Sequence, residues 1–153
     1  MRIFYFLFII LLSTTQYSFA QKQTLLKGMV TEIEVVSDSS NLAYSIYLPA
    51  NYTKATPSKA LFVLDPNGDG MRAARLFVSA IAGEEYVVVS NNFKLSKNLD
   101  SLDTNAQQAV TMMRDVFAKV ALESGQIYIT GLGSGAKTAS ALSYVLKNTA
   151  GIL

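Results

Sequence analysis

The segment that decides the fold has the sequence QIYITGLGSGAKT, at residues 126–138, and an apolar run continues from it through Leu146. Its first five residues are mostly the β-branched and aromatic types typical of a buried strand. Three glycines follow within five residues, which is typical of a sharp turn, and small and apolar residues then continue at helical spacing. The segment therefore predicts a strand, a tight turn and a helix, and we expect a functional site at this turn.

The composition is that of an ordinary globular chain. Of the 153 residues, 50% are hydrophobic, which is enough for one domain with a core. The 13 basic and 11 acidic side chains give a net charge of +2, so no nucleic acid partner is expected. The chain has no cysteine, which excludes disulfides and thiolate metal sites, and no histidine, the commonest general base and metal ligand. We therefore expect neither a cofactor nor a metal site.

The first 20 residues have the layout of a secretory signal peptide. Arg2 precedes an apolar run over 3–12, and the small residue Ala20 ends the segment. The apolar run is roughly ten residues long, well short of the ~20 needed to cross a bilayer, so no stable membrane insertion is expected after cleavage. These features predict a signal peptide over 1–20, a domain over 21–153, and a secreted or periplasmic protein. An uncleaved N-terminal anchor is the alternative.

Hydrophobic patterning predicts strands alternating with helices along the rest of the chain. The first two strands form an antiparallel hairpin, and continuous apolar runs predict two strands buried on both faces. The order indicates an α/β fold with a mostly parallel sheet and helices on both faces. The predicted elements are strands over 24–36 and 42–48 with a turn at 37–41, strands over 60–64 and 86–89, helices over 71–82 and 106–122, the strand, turn and helix of 126–146, and a strand opening at 151–153.

The turn after Thr130 fits three functional templates, each with one defect. The first is the nucleophile elbow, G-x-S-x-G, in which a strained strand-to-helix turn presents a nucleophile above the sheet. Aligning its outer glycines on Gly131 and Gly135 puts Gly133 at the nucleophile position. Ser134 then lies one residue late, where it is expected to contribute its backbone N–H, and its side chain is interpreted as a helix N-cap.

The other two templates bind phosphate groups. The P-loop, G-x-x-x-x-G-K-[ST], matches residues 131–138 except that Ala136 replaces the glycine before Lys137. The dinucleotide fingerprint, G-x-G-x-x-[GA], is met by Gly131, Gly133 and Ala136, but its acidic ribose partner would fall at or beyond the last residue. Both remain alternatives, and Lys137 is otherwise interpreted as a solvated helix lysine.

Around the elbow the chain resembles the α/β-hydrolase family, in particular its secreted esterase-like members. The resemblance covers residues 42–153 and implies the N-terminal half of an α/β-hydrolase-like sheet of about eight strands with a Ser, acid, His triad. Asn67 stands where the family has the histidine of its His-Gly oxyanion loop. The segments similar to the opening strand, the oxyanion loop and the strands beside the site are YSIYLPANY (44–52), DPNGDG (65–70), YVVVSNN (86–92) and IYITG (127–131).

Two departures from the family pattern bear on activity. Gly133 carries no nucleophile, and the sequence stops near the start of the sixth expected strand, before the acid and the histidine of the triad. The expected remnant is an oxyanion hole formed by the backbone N–H groups of Ser134 and Asp69. The resemblance then implies a truncated or degenerate member of a secreted carboxylic-ester hydrolase lineage that is not catalytically competent. A non-catalytic secreted binding module is the alternative, and the expected ligand is a small ester or a carbohydrate-linked molecule.

Two weaker site hypotheses concern the loop after the third strand and the tyrosines. Asp65 and Asp69 could coordinate a cation, but carboxylates in such a loop more often bond their own backbone. Tyr44, Tyr47 and Tyr52 could form a sugar-stacking platform, although tyrosines at such positions are usually half-buried sheet residues.

The edge of the predicted sheet has its own consequence. A sheet that ends at the strand of the focal segment would leave that apolar strand unpaired on one side, which favours association. We therefore expect an incomplete domain that can self-associate through an exposed edge strand.

Overall fold

A computed structural model describes residues 24–35, 42–147 and 149–153 of the chain. The predicted signal peptide at 1–20 and the predicted turn at 37–41 lie outside the described residues. No helix among those described is long and apolar enough to cross a membrane. The elements follow in the order β1 (Val30–Glu34), β2 (Ala43–Tyr47), β3 (Ser58–Leu64), α1 (Gly70–Ala80), β4 (Tyr86–Asn91), a short 3-10 helix (Leu99–Ser101), α2 (Leu102–Lys119), β5 (Leu122–Gly131), α3 (Ser134–Val145) and β6 (Gly151–Ile152).

The strands form one six-stranded sheet in the order β1-β2-β4-β3-β5-β6. β1 and β2 make the predicted antiparallel hairpin, with β1 shorter than the strand expected over 24–36, and β2 also pairs antiparallel to β4. β3 pairs in parallel with β4 on one side and β5 on the other, and β6 continues the parallel sheet beside β5. The predicted α/β fold with a mostly parallel sheet is thereby confirmed.

β3 occupies the centre of the sheet, and its side chains alternate between two hydrophobic layers. Phe62 faces the layer that also holds side chains of α2 and α3, such as Leu142. Leu61 and Val63 face the layer that holds Ala74 of α1. Helices therefore cover both faces of the sheet, and this apolar run is buried on both sides as its sequence indicates.

The predicted helix over 106–122 ends earlier than expected. α2 stops at Lys119, and Leu122 already belongs to β5. The cause is pairing with the start of β3, where Ser58 donates its N–H to the carbonyl oxygen of Ala121 at 3.1 Å. Such long-range pairing outweighs a local helical pattern, because intrinsic propensity is a weak preference.

β6 changes the expectation for the edge of the sheet. The strand predicted to open at 151–153 is confirmed. It pairs with β5 through the N–H of Ala150 on the carbonyl oxygen of Ile127 (2.7 Å) and the N–H of Leu153 on that of Ile129 (3.0 Å). The expectation that β5 forms the edge of the sheet is therefore wrong where β5 pairs with β6. On this side of the sheet the outermost strand is the two-residue β6.

Candidate functional site

The turn between β5 and α3 has the backbone geometry of an elbow. β5 ends at Gly131 and α3 begins at Ser134, so Leu132 and Gly133 alone connect them. Gly133 has φ 56° and ψ −116°, a conformation that residues with a side chain avoid. A Cβ built on Gly133 meets no heavy atom within 4 Å apart from its chain neighbours. A side chain at position 133 would therefore project into open space, as the nucleophile of an elbow does.

The two outer glycines are required by the close contact of α3 with β3. A Cβ on Gly131 would lie 2.5 Å from the carbonyl carbon of Gly135, and a Cβ on Gly135 would lie 1.9 Å from the carbonyl oxygen of Leu64. A real Cβ essentially never makes a contact under 3.0 Å, so only glycine fits at either position. This steric requirement fixes the G-x-x-x-G frame with Gly133 at its centre.

Ser134 does not have the helix N-cap role that the sequence predicts. The N-cap of α3 is Gly133 and Ser134 is the first helical residue, so the predicted N-cap role is wrong. The Ser134 side chain is buried, and its Oγ donates to the carbonyl oxygen of Leu95 at 3.3 Å. The first N–H groups of a helix have no partner within the helix. Ser134 can therefore offer its N–H to a ligand, but its hydroxyl is already engaged inside the protein.

The same geometry is unfavourable for the P-loop template. A P-loop needs a glycine-rich loop whose N–H groups are free to surround phosphate. Here the connection has two residues, and the N–H of Gly135 donates to the carbonyl oxygen of Leu132 at 2.8 Å. Lys137 is exposed on the first turn of α3, which agrees with a solvated helix lysine.

The loop between β3 and α1 is held by its own carboxylates. Oδ1 of Asp65 accepts the N–H groups of Asn67 at 2.9 Å and of Asp69 at 3.0 Å. Oδ1 of Asp69 caps α1 by accepting the N–H of Arg72 at 3.3 Å. The N–H of Asp69, predicted as an oxyanion-hole donor, is thus already bonded within the loop. Both carboxylates form turns, and the part of the chain described here holds no group of three or more acidic, histidine or cysteine side chains that could bind a metal.

Asn91, which the sequence did not single out, anchors this loop to β4. Its buried amide donates from Nδ2 to the carbonyl oxygens of Asp65 (2.8 Å) and Phe93 (2.6 Å), and its Oδ1 accepts the N–H of Asp65 at 2.8 Å. The N–H of Leu95 also donates to the carbonyl oxygen of Pro66 at 3.1 Å. The loops after β3 and β4 are therefore locked together beside the elbow. The available sequence signal is a buried asparagine at the end of a strand that is otherwise mostly apolar.

Known proteins share this architecture. No family model and no curated protein matches the chain. Solved structures do match: a thermostable esterase aligns with a TM-score of 0.60 at 13% identity over 81% of this chain and 39% of its own. Esterase 2 of Thermogutta terrifontis aligns with a TM-score of 0.56 at 20% identity over 74% of this chain and 44% of its own. An acetyl xylan esterase from Aspergillus awamori aligns with a TM-score of 0.59 at 15% identity over 80% of this chain and 50% of its own.

This is an α/β-hydrolase-like fold. The resemblance drawn from the sequence is confirmed at the level of the fold, because identities this low speak for architecture alone. The chain spans half or less of the length of each of these esterases.

Within the α/β-hydrolase-like fold, a cleft of about 320 Å³ opens between α1 and the elbow. It is lined by the carboxyl ends of β3 and β5, by the loop after β3, and by one side of α1. This volume lies at the lower end of the range for small-molecule sites, on the order of 300 to 1,000 Å³. Leu132, the residue before Gly133, lines the cleft and is 71% exposed. The cleft therefore begins directly beside the nucleophile position.

Within the α/β-hydrolase-like fold, Tyr44, Tyr47 and Tyr52 have structural roles. Tyr44 donates its OH to Oδ2 of Asp115 at 2.8 Å, and the OH of Tyr52 accepts the N–H of Ala121 at 2.8 Å. Burial raises the pKa of Tyr44, and the hydrogen bond to Asp115 and its negative charge raise this pKa further. Tyr44 and Tyr52 are buried in one hydrophobic layer, and Tyr47 packs against the layer on the other face of the sheet. The sugar-stacking hypothesis is therefore wrong, and the structure favours the alternative of tyrosines packed in the sheet.

Proposed function

We propose that this chain is a degenerate member of the secreted carboxylic-ester hydrolase lineage, which keeps the elbow and the cleft but does not hydrolyse esters. The observation that carries the proposal is Gly133. Its backbone has the strained conformation of a nucleophile position, and the side chain that would attack an ester is missing. The esterase folds that match the chain support the same lineage.

Other residues are poor substitutes for the missing nucleophile. Acyl transfer through a covalent intermediate needs a hydroxyl or thiol with a base within hydrogen-bond reach. The Ser134 hydroxyl is buried and bonded to Leu95, and the 153 residues contain neither histidine nor cysteine. The nearby Asp65 carboxylate already accepts two backbone N–H groups. The chain as it stands therefore lacks both the nucleophile and the base.

The remaining catalytic feature is electrostatic. The N–H of Ser134 stands at the start of α3, where unpaired N–H groups and the helix dipole favour an anionic oxygen. A complete oxyanion hole without nucleophile and base leaves an acceleration on the order of 10³ to 10⁴ over water, and here the second predicted donor, the N–H of Asp69, is already bonded to Asp65. We expect ester hydrolysis at no more than this background.

The test is hydrolysis of p-nitrophenyl acetate by the full chain and by the variants Gly133→Ser, Gly133→Ala and Ser134→Ala. All four proteins are expected to give non-saturating background rates, because Gly133→Ser restores a hydroxyl without a base. Saturable turnover that persists in Gly133→Ala and is lost in Ser134→Ala would overturn the proposal and make Ser134 a displaced nucleophile.

A non-catalytic secreted binding module is the second candidate, and the cleft of about 320 Å³ favours it. Its ligand would be a small ester or a carbohydrate-linked molecule. Sequencing the gene beyond the codon for Leu153 separates the two candidates. A downstream frame with further β-α units, an acidic residue and a histidine favours the broken hydrolase, whereas a stop without such a remnant favours the binding module.

The proposed location is the periplasm or the extracellular medium, on the ground of the signal peptide predicted over 1–20. Fractionation of expressing cells, with N-terminal sequencing of the exported form, tests this proposal. A mature N-terminus near Gln21 is the expected result, and an uncleaved chain in the membrane fraction would contradict it.

Self-association is proposed through β6, because an outermost strand offers unpaired backbone groups to another chain. β6 has two residues, so the pairing is expected to be weak. Sedimentation equilibrium at several protein concentrations measures it. A mass that stays monomeric over the whole concentration range would contradict the proposal.

A further inference from the structure

The loop between β3 and α1 contains an asparagine that is followed directly by a glycine. The side chain of Asn67 is exposed, and its amide makes no hydrogen bond to another residue that the structure describes. Asparagine is thermolabile, because its side-chain carbonyl carbon can be attacked by the backbone nitrogen of the next residue. A glycine obstructs this attack least, since it has no Cβ. Asn67 is therefore open to reaction with the backbone N of Gly68.

Gly68 is required by the packing of this loop. Its φ is 76°, and a Cβ at this position would lie 2.7 Å from the carbonyl carbon of Phe93. Any residue with a side chain would be strained by this backbone conformation and would clash with the loop after β4. The N–H of Gly68 is also held weakly, at 3.4 Å from the carbonyl oxygen of Asp65, which exceeds the usual range of N–H···O distances. The fold therefore keeps the reactive pair and leaves its nitrogen loosely bonded.

We propose that Asn67 is a site of spontaneous deamidation, at which the chain forms aspartate and isoaspartate without an enzyme. The backbone N of Gly68 loses its proton to water or hydroxide and bonds to Cγ of Asn67, and the Cγ–Nδ2 bond breaks as ammonia leaves. Water then opens the cyclic succinimide. Breaking the new N–Cγ bond gives aspartate. Breaking the original peptide bond gives isoaspartate, in which the backbone runs through Cβ and Cγ.

Isoaspartate releases the loop from Asp65. In the intact chain, Oδ1 of Asp65 accepts the N–H groups of Asn67 at 2.9 Å and of Asp69 at 3.0 Å. The isoaspartate backbone has one more carbon between these two donors, so one oxygen can no longer hold both. The new carboxylate also adds a negative charge to a loop that already carries Asp65 and Asp69. This loop forms part of the cleft wall, so the cleft loosens as the chain ages. The reaction needs no substrate and goes beyond the proposed function.

Incubation of the ¹⁵N-labelled full chain in warm, mildly alkaline buffer tests the inference. Mass spectrometry of its peptides follows the gain in mass as the amide becomes a carboxylate, and protein isoaspartyl methyltransferase labels the isoaspartate. Asn98 is the internal control, because it is also exposed but is followed by Leu99. Asn67 is expected to convert about tenfold faster than Asn98, because a Cβ on the next residue adds to the barrier of ring closure a steric cost like that of a left-handed residue.

Hydrogen exchange at the N–H of Asp69, followed by NMR, measures the release of the loop. It is expected to speed about tenfold in the isoaspartate form, the factor that corresponds to the loss of one hydrogen bond. Incubated Asn67→Gln should keep the exchange rate of the fresh protein, because its amide lies one methylene further from the backbone nitrogen. Asn67→Asp, which adds the charge without the extra backbone carbon, should speed exchange less than isoaspartate does.

Conversion at Asn67 no faster than at Asn98 would overturn the inference. Isoaspartate at position 67 without faster exchange at Asp69 would refute the release of the loop, as would equally fast exchange in Asn67→Asp or in incubated Asn67→Gln. Neither readout involves ester turnover, so failure of the inference leaves the proposed function intact.

Discussion

Replacing Gly135 with alanine would force α3 away from β3. The new Cβ would lie 1.9 Å from the carbonyl oxygen of Leu64, against a practical minimum of 3.0 Å, so the helix must retreat by about 1.1 Å or more. The atom that it meets belongs to the backbone, so no side-chain rotation relieves the contact. A gap of roughly 0.5 to 1 Å already forfeits a quarter to a half of the contact energy of the atoms that lose their neighbours. Ala139 and Leu142, buried on α3, would lose packing in this way. We expect a loss of about 3 kcal/mol in the free energy of unfolding, at the upper end of the cost of overpacking.

Urea unfolding of the full chain, followed by far-UV circular dichroism, measures this loss. Gly151→Ala is the matched control, because a Cβ at position 151 meets no heavy atom within 4 Å and Gly151 is not among the glycines with positive φ. The control is expected to change the free energy of unfolding by less than about 0.5 kcal/mol. If Gly135→Ala were as stable as this control, the tight contact of α3 with Leu64 and the alignment of the elbow that depends on it would both be refuted.

The remaining predictions concern the strained turn, the buried tyrosine and the loop anchor. Gly133→Ala is expected to lower the free energy of unfolding by about 1 to 2 kcal/mol, because φ is 56° at this position, although the new methyl group meets no atom. A urea midpoint equal to that of the wild type would show that the backbone of Gly133 is not strained. Tyr44→Phe removes the buried hydrogen bond to Asp115 and is expected to cost about 1 to 3 kcal/mol. Burial raises the pKa of Tyr44 in the folded state, so its contribution to the free energy of unfolding is complete below the unfolded pKa of about 10 and falls above it by up to about 1.4 kcal/mol per pH unit. The free energy of unfolding, measured between about pH 8 and 11, should therefore fall less steeply with pH in Tyr44→Phe than in the wild type. Equal slopes of free energy against pH would contradict this reasoning. Asn91→Ala removes two hydrogen bonds to Asp65 in the loop after β3 and one to Phe93 in the loop after β4. It is expected to cost about 2 to 4 kcal/mol and to speed hydrogen exchange at the N–H of Asp65. Unchanged exchange there would show that Asn91 does not anchor the loop.

The order of the elements could be predicted because hydrophobic periodicity carries it. The apolar run at 60–64 has no polar face, so it had to be a strand covered on both sides, and the sheet places it at the centre. Periodicity does not tell which distant segment a strand will pair with. For that reason the extension of β5 back to Leu122, opposite Ser58, and the cover that β6 gives to Ile129 did not follow from the sequence.

For the candidate site too, local features could be predicted from the sequence and long-range contacts could not. The frame of Gly131, Gly133 and Gly135 was visible in the sequence because its spacing matches a strand-to-helix turn, but the atom that excludes a Cβ at Gly135, the carbonyl oxygen of Leu64, could not be predicted. The partner of the Ser134 hydroxyl was not, because the carbonyl oxygen of Leu95 comes from a loop 39 residues earlier in the chain. Asn91 was missed for the same reason: its anchoring role depends on a loop that begins 26 residues before it.

The central place of β3 has a consequence for the synthesis of the chain. Both of its neighbours are made after it, since Leu61 pairs with Val88, 27 residues later, and with Tyr128, 67 residues later. At about 5 to 20 residues per second, the second neighbour leaves the ribosome roughly 3 to 13 s after β3. During this time an apolar strand has at least one open edge, and pairings over such sequence distances also form slowly. The pace of translation between β3 and β5 therefore sets how long that edge stays open to pairing with other chains.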